Sequence, residues 1–139
     1  MPTKDIYHDL VKKALTKEAW LITHDPFSLQ FSDADFLHID LAAEKLIAAK
    51  KEGKKIAVEI KSFARDSALY EFHLALGQFM NYRMVLEEKE PDRVLYLAVP
   101  SDAYQSFFQR PLAKAAIQRY QLKLIVYHTA KEEIVKWIN

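Results

Sequence analysis

Residues 54–61 read Lys-Lys-Ile-Ala-Val-Glu-Ile-Lys, and no other stretch constrains the fold as tightly. Alternation puts Ile56, Val58 and Ile60 on one face of a strand and Ala57, Glu59 and Lys61 on the other. Ile56-Ala57-Val58 is apolar at every position, which suits a strand covered on both faces. Downstream, Ser67 to Glu88 carries Leu69, Phe72, Leu76, Phe79, Met80 and Leu86 as the buried stripe of a long helix. Pro91 breaks that helix, and Arg93-Val94-Leu95-Tyr96-Leu97-Ala98-Val99 is a second buried-type strand, stopped by Pro100. Strand, crossover helix and strand together predict an α/β sheet.

The flanks extend this pattern. Thr3 to Lys17 reads as an amphipathic helix with Ile6, Leu10, Val11, Ala14 and Leu15 inward and Thr3 as N-cap. Trp20 to His24 is strand-like and ends at the turn Asp25-Pro26. A hairpin-like stretch through Phe27, Leu29 and Phe31 follows, and Phe36 to Leu41 is a further strand. Ala42 to Lys51 has two readings: helix by propensity, or a strand turning tightly at 51–54 and returning as Lys55 to Lys61. The hairpin is preferred, because Gly53 offers an easy positive φ there. Beyond Pro100, Ser101 or Asp102 is expected to cap a helix through Tyr104, Phe107 and Phe108, interrupted at Pro111. A helix to about Tyr120, a strand from Leu122 to Tyr127 and a terminal helix from Glu132 to Trp137 complete the order. One domain spanning residues 1–139 is expected: a helix, a three-stranded meander, a crossover helix, further strands and a terminal helix. That order agrees with the restriction-endonuclease-like fold.

Composition narrows the function. Half of the 139 residues are hydrophobic, enough for a real core. Cysteine is absent, which excludes disulfides and thiolate metal sites. No apolar run is long enough to cross a bilayer and no signal-peptide pattern opens the chain, so a cytoplasmic protein without membrane contact is expected. The net charge of +1 is too low for a general nucleic-acid coat, so any DNA contact must use a local patch. Lys50, Lys51, Lys54 and Lys55 beside the motif strand, with Lys61 and Arg65 following, are the candidates, Lys54, Lys55 and Arg65 foremost. The plainer reading is that these lysines keep a turn soluble.

Chemistry gathers at the end of the motif strand. Glu59 and Lys61, two residues apart, point into one space. Asp40, in Leu37-His38-Ile39-Asp40-Leu41, would enter from a neighbouring strand and complete two carboxylates and a lysine. That set suits Mg²⁺ or Mn²⁺ and the phosphodiester it polarises. A Glu-x-Lys pair is also a common solvated face; the apolar flank argues for the site. Glu44 is a spare carboxylate that a hairpin would carry towards the site and a helix would leave in solvent. His38 would share the strand face of Asp40, while His8 reads as a boundary residue and His73 and His128 as structural or exposed. His24 could approach a phosphate, but a turn is the better reading of His24-Asp25-Pro26, with Asp25 bonding backbone groups. No histidine pair has zinc spacing, and two glycines make no phosphate-cradling loop.

The string Asp…Glu-x-Lys after two apolar strands resembles the active-site motif of the PD-(D/E)xK nucleases. Asp40 matches the first half-motif, with Ile39 where the motif has proline, and Glu59 and Lys61 match the second without change. Gln78 and Tyr82 resemble the Gln-x-x-x-Tyr pair of exonuclease members; a spacing of four puts both on one helix face. More of the chain resembles a narrower family. Ile22-Thr23-His24-Asp25-Pro26, the run from Ile39 to Ala49, Ile56 to Phe63, Ala75-Leu76-Gly77-Gln78-Phe79 and Arg93 to Pro100 look like the XisH family of fdxN element excision controlling factors.

That resemblance implies a cyanobacterial, DNA-associated factor in programmed excision of a mobile element during heterocyst differentiation. It implies a companion factor, XisI, and a site-specific recombinase as partners. The motif resemblance implies Asp40 and Glu59 as ligands of Mg²⁺ or Mn²⁺ and Lys61 as the residue that positions a water or stabilises the transition state. The alternative is a non-catalytic accessory that uses the same fold to bind a recombination partner or DNA. A homo-oligomer is compatible with the chain. Tyr104, Phe107 and Phe108 read either as a protein interface or as core.

Overall fold

The computed structural model describes residues 3–45, 53–64 and 67–139. A helix, α1 (Thr3–Lys17), precedes five strands: β1 (Leu21–His24), β2 (Phe27–Gln30), β3 (Phe36–Ile39), β4 (Leu41–Lys45) and β5 (Lys54–Ile60). The crossover helix α2 (Ala68–Lys89) leads to β6 (Arg93–Pro100). Then α3 (Ser101–Gln105), a 3₁₀ turn at Phe107–Gln109 and α4 (Pro111–Tyr120) connect to β7 (Leu124–His128) and β8 (Glu133–Ile138). Six strands form one sheet in the order β1-β4-β5-β6-β7-β8, and β2 and β3 form a separate antiparallel ribbon. β5, β6 and β7 are parallel, while β1, β4 and β8 join antiparallel.

Burial follows the alternation. Ala57, Leu95, Leu97, Val99, Leu124 and Val126 face Phe72, Phe79 and Leu86 of α2 and the buried Phe107 and Phe108. On the opposite face, Ile56, Val58, Ile60, Tyr96, Ala98, Ile125 and Tyr127 meet Val11 and Leu15 of α1. Both faces of the parallel strands are therefore covered, which explains their near-continuous apolar runs. Phe107 and Phe108 belong to the core, which resolves the two readings of that aromatic cluster. Met80 is exposed, so the helix stripe is narrower than expected.

Several boundaries differ from expectation. β4 and β5 pair as the hairpin reading requires, with Glu44 opposite Lys55 and Lys45 opposite Lys54; residues 46–52 lie outside the described residues. The expected strand from Phe36 to Leu41 is two strands, divided at Asp40. Thr3 is itself helical, so it does not stand at the cap. Neither Ser101 nor Asp102 is the N-cap of α3: Pro100 is, with no side-chain bond, while the Asp102 carboxylate accepts from the Ala103 N–H at 3.0 Å. Pro111 opens α4, where its missing N–H costs nothing. Ser67 caps α2, its hydroxyl accepting from the Tyr70 N–H at 3.2 Å.

The largest correction is at the end of the chain, where a strand replaces the expected helix. β8 pairs with β7, but its register shifts between Ile134 and Lys136, bulging Val135 outward. Ile134 lies opposite Tyr127 and Trp137 opposite Ile125, so both pack against the α1 side although they are three residues apart. A bulge thus gives β8 a helix-like spacing.

Candidate active site

β5 carries Glu59 near its C-terminal end, in the interior of the sheet, and the break between β3 and β4 sets Asp40 beside it. The last backbone pair of that ladder is Leu41 with Val58. Beyond it the side chains continue the pairing. The Asp40 N–H donates to Glu59 Oε1 at 3.3 Å, and the Ile60 N–H donates to Asp40 Oδ2 at 2.8 Å. Each carboxylate therefore takes up a backbone donor that the interrupted strand would leave buried. Asp40 and Glu59 are 9% and 6% exposed.

Lys61 Nζ stands 3.5 Å from Glu59 Oε2, while its own N–H donates to the Ala98 carbonyl and fixes the strand end. Burial pushes the Glu59 carboxyl up to about 7; the charge of Asp40 adds to this and Lys61 opposes it. Two carboxylates side by side are oxygen donors of the kind a divalent cation takes. Among the described residues no group of three or more His, Cys, Asp and Glu side chains is placed to hold a metal. Asp40 and Glu59 would thus supply two ligands, with water completing the set, as Mg²⁺ prefers.

Helix α2 lines the other side. Tyr82 is half-buried, and its phenol is raised to about 12 by burial and by the charges of Glu59 and Asp40. Gln78, one turn away, has its amide oxygen buried with no hydrogen-bond partner among the described residues. Glu71, which sequence reasoning missed, lies on the same face at a spacing of seven from Gln78. It is 9% exposed; its Oε1 accepts from the Phe63 N–H at 3.1 Å, and its Oε2 is buried without a hydrogen-bond partner among the described residues. Phe63, just beyond the motif, has φ of +52°, a left-handed backbone, and stacks on Phe107. The signal for Glu71 was the run Glu71, Ala75, Gln78, Tyr82 along one helix face.

The family model for XisH protein matches residues 1–135. The chain belongs to the XisH family. A crystal structure of an XisH family protein from Nostoc punctiforme superposes with a TM-score of 0.88 at 47% identity, covering 97% of this chain and 100% of that one. An fdxN element excision controlling factor protein from Anabaena variabilis gives a TM-score of 0.87 at 47% identity, with 97% and 99% covered. No curated protein matches the chain.

Other expected residues of this XisH chain lie elsewhere. Glu44 is on the hairpin but points to its far end, about 13 Å along the strand from Asp40. It stands 3.8 Å from Lys55, which also meets Asp92 at 3.4 Å. Lys54 and Lys55 open β5, so they are at the opposite end of the strand from Glu59 and Lys61 and not beside them. Arg65, Lys50 and Lys51 lie outside the described residues. His38 is exposed on the ribbon, its Nδ1 2.9 Å from Ser28 Oγ. Among the described residues the Asp25 carboxylate meets side chains and no backbone donor of its turn: Lys12 Nζ at 2.7 Å and His8 Nε2 at 2.6 Å tie it to α1. No helix among the described residues is long and apolar enough to cross a membrane.

Proposed function

We propose that the chain is a DNA-associated factor in excision of a mobile element, with a metal-dependent phosphodiesterase site of the PD-(D/E)xK type. The observation that carries this reading is the reciprocal clasp of Asp40 and Glu59, buried together beside Lys61. Neutral amide acceptors would close the strand break as well, without the repulsion of two carboxylates buried side by side. The order of helix, antiparallel strands, crossover helix and parallel strand supports a restriction-endonuclease-like fold. The name of the Anabaena variabilis relative supports the excision setting. We extend the proposal to a companion factor, XisI, and a site-specific recombinase as partners.

Asp40 and Glu59 would hold Mg²⁺ or Mn²⁺, which supplies an acidified water and offsets charge on the scissile phosphate. Lys61 orients the attacking water or faces the developing charge as a compact ammonium. Tyr82, protonated at neutral pH, is a donor at the same wall, and Gln78 fixes the approach of a backbone phosphate through its amide. Purified protein should cut supercoiled, single-stranded or branched DNA in Mn²⁺. Glu59→Ala should abolish cutting, and Lys61→Ala should slow it by about 10²-fold or more. Equal inactivity of the native chain and Glu59→Ala, with and without the companion protein, would refute the enzyme.

A second reading is a non-catalytic accessory that binds a protein partner. It is favoured by the net charge of +1 and by an exposed stripe on α2, Tyr70, Leu74 and Met84. Gly77 lies within that stretch, and a methyl group added to it would meet nothing within 4 Å. Thermal stabilisation by Mn²⁺ that Asp40→Asn removes would count against this reading.

A further inference from the structure

A groove of about 730 Å³ opens at the start of β5 and β6, the opposite end of the sheet from the carboxylates. Lys45, Lys54, Lys55 and Lys123 line it, together with Trp20, Tyr96 and Trp137. Two acidic side chains also reach it, and both are engaged. Glu18 Oε1 accepts from Trp137 Nε1 at 3.1 Å, and Asp92 Oδ2 is 3.4 Å from Lys55 Nζ. Among the described residues none forms an ion pair with Lys45, Lys54 or Lys123. The groove therefore carries an excess of positive charge although the chain as a whole is nearly neutral.

Its floor is aromatic. Trp20 and Trp137 lie 5.7 Å apart at 31°, Tyr96 meets Trp137 edge-on at 5.0 Å, and Lys45 Nζ sits 5.8 Å over the Trp20 ring. Trp137 is only half-buried, which leaves ring surface at the groove. We propose that this groove binds a single-stranded nucleic-acid segment, its phosphates on Lys45, Lys54 and Lys123 and a base against Trp137. Lysines alone would take any polyanion; the aromatic floor selects one that carries flat rings, because every base offers a π-face. An acidic peptide would use the ammoniums and leave the rings without a partner. The inference shares with the proposed function only the class of ligand, and it holds whether or not Asp40 and Glu59 support cutting.

The chain has two tryptophans and both line this groove, so intrinsic fluorescence reports on it directly. The probe is a thymidine oligonucleotide titrated into the full chain in EDTA, where metal-dependent cutting plays no part. Saturable quenching is expected. Lys45→Gln/Lys54→Gln/Lys123→Gln should weaken binding about tenfold or more and reduce the slope of log affinity against log salt by about 2. Circular dichroism of that variant confirms its fold, and Lys54→Glu provides a second, milder variant with the same direction of effect. Quenching in a chain that fails to cut DNA would sink the nuclease and leave the groove standing. Absence of quenching, or unchanged affinity in the lysine variants, would overturn the groove assignment. So would displacement of the oligonucleotide by polyglutamate as readily as by unlabelled oligonucleotide, which would assign the groove to an acidic protein segment.

Discussion

Asp40 and Glu59 do two jobs at once, closing the backbone of a broken strand and crowding negative charge into a buried corner. The second has a signature in pH. Glu59 titrates near 7 in the folded chain and near 4.5 when unfolded, so between these values the unfolded chain releases its proton first. Stability without metal should therefore fall as pH rises from about 4.5 to about 7, by on the order of 3 kcal/mol at full effect. Urea denaturation in EDTA across that range checks this, and Glu59→Gln should flatten it. Lys61→Gln removes the ammonium that opposes the shift, so the fall should extend to higher pH. Alternation alone made Glu59 and Lys61 legible as neighbours, because period two is a local rule. Asp40 required a guess about which strands meet. Glu44 was misplaced because the hairpin runs its register away from the site: the same face of a sheet is not the same end. Glu71 shares the helix face of Gln78 and Tyr82, but its role was not legible from that face, because its partner is a backbone N–H eight residues upstream.

Among the elements, the turn from β5 into α2 holds the site in shape. Glu71 and Ser67 secure it, one through the Phe63 N–H and the other through the Tyr70 N–H. Ser67→Ala should cost about 1 kcal/mol of stability, the usual value of a lost cap. Glu71→Ala strands a part-buried donor and should cost about 1–3 kcal/mol, both measured by urea unfolding. Glu71→Gln keeps an acceptor for that N–H and should cost less. The helices and central strands were readable because their periods are uninterrupted. β8 was not, because the bulge at Val135 places Ile134 and Trp137 on one side at a spacing that a helix also gives. The break at Asp40 was hidden for a related reason. A strand that changes partners keeps its alternation, and only its pairing betrays the division.

At the scale of the molecule, the first helix and the last strand are clasped. α1 packs on β8, Lys13 reaches Glu132 at 3.2 Å, Lys17 donates to the Lys131 carbonyl, and Trp20 meets Trp137. Trp137→Ala should therefore loosen both ends of the chain together. Hydrogen exchange would show faster amides in α1 as well as in β8, whereas a merely local role would speed β8 alone. The same arrangement explains how edge strands β1 and β8 of an open sheet come under one helix, a closure that only long-range contacts create. Ala19, Phe63, Gln121 and Glu132 all adopt positive φ, and none is glycine, while Gly77 occupies the middle of α2 with open space around it. Glycine sits where a helix is weakened by it, and is missing where left-handed backbone would welcome it. The chain therefore carries unspent thermal headroom: Gly77→Ala with Gln121→Gly would raise its melting temperature by several degrees without touching either end of the sheet.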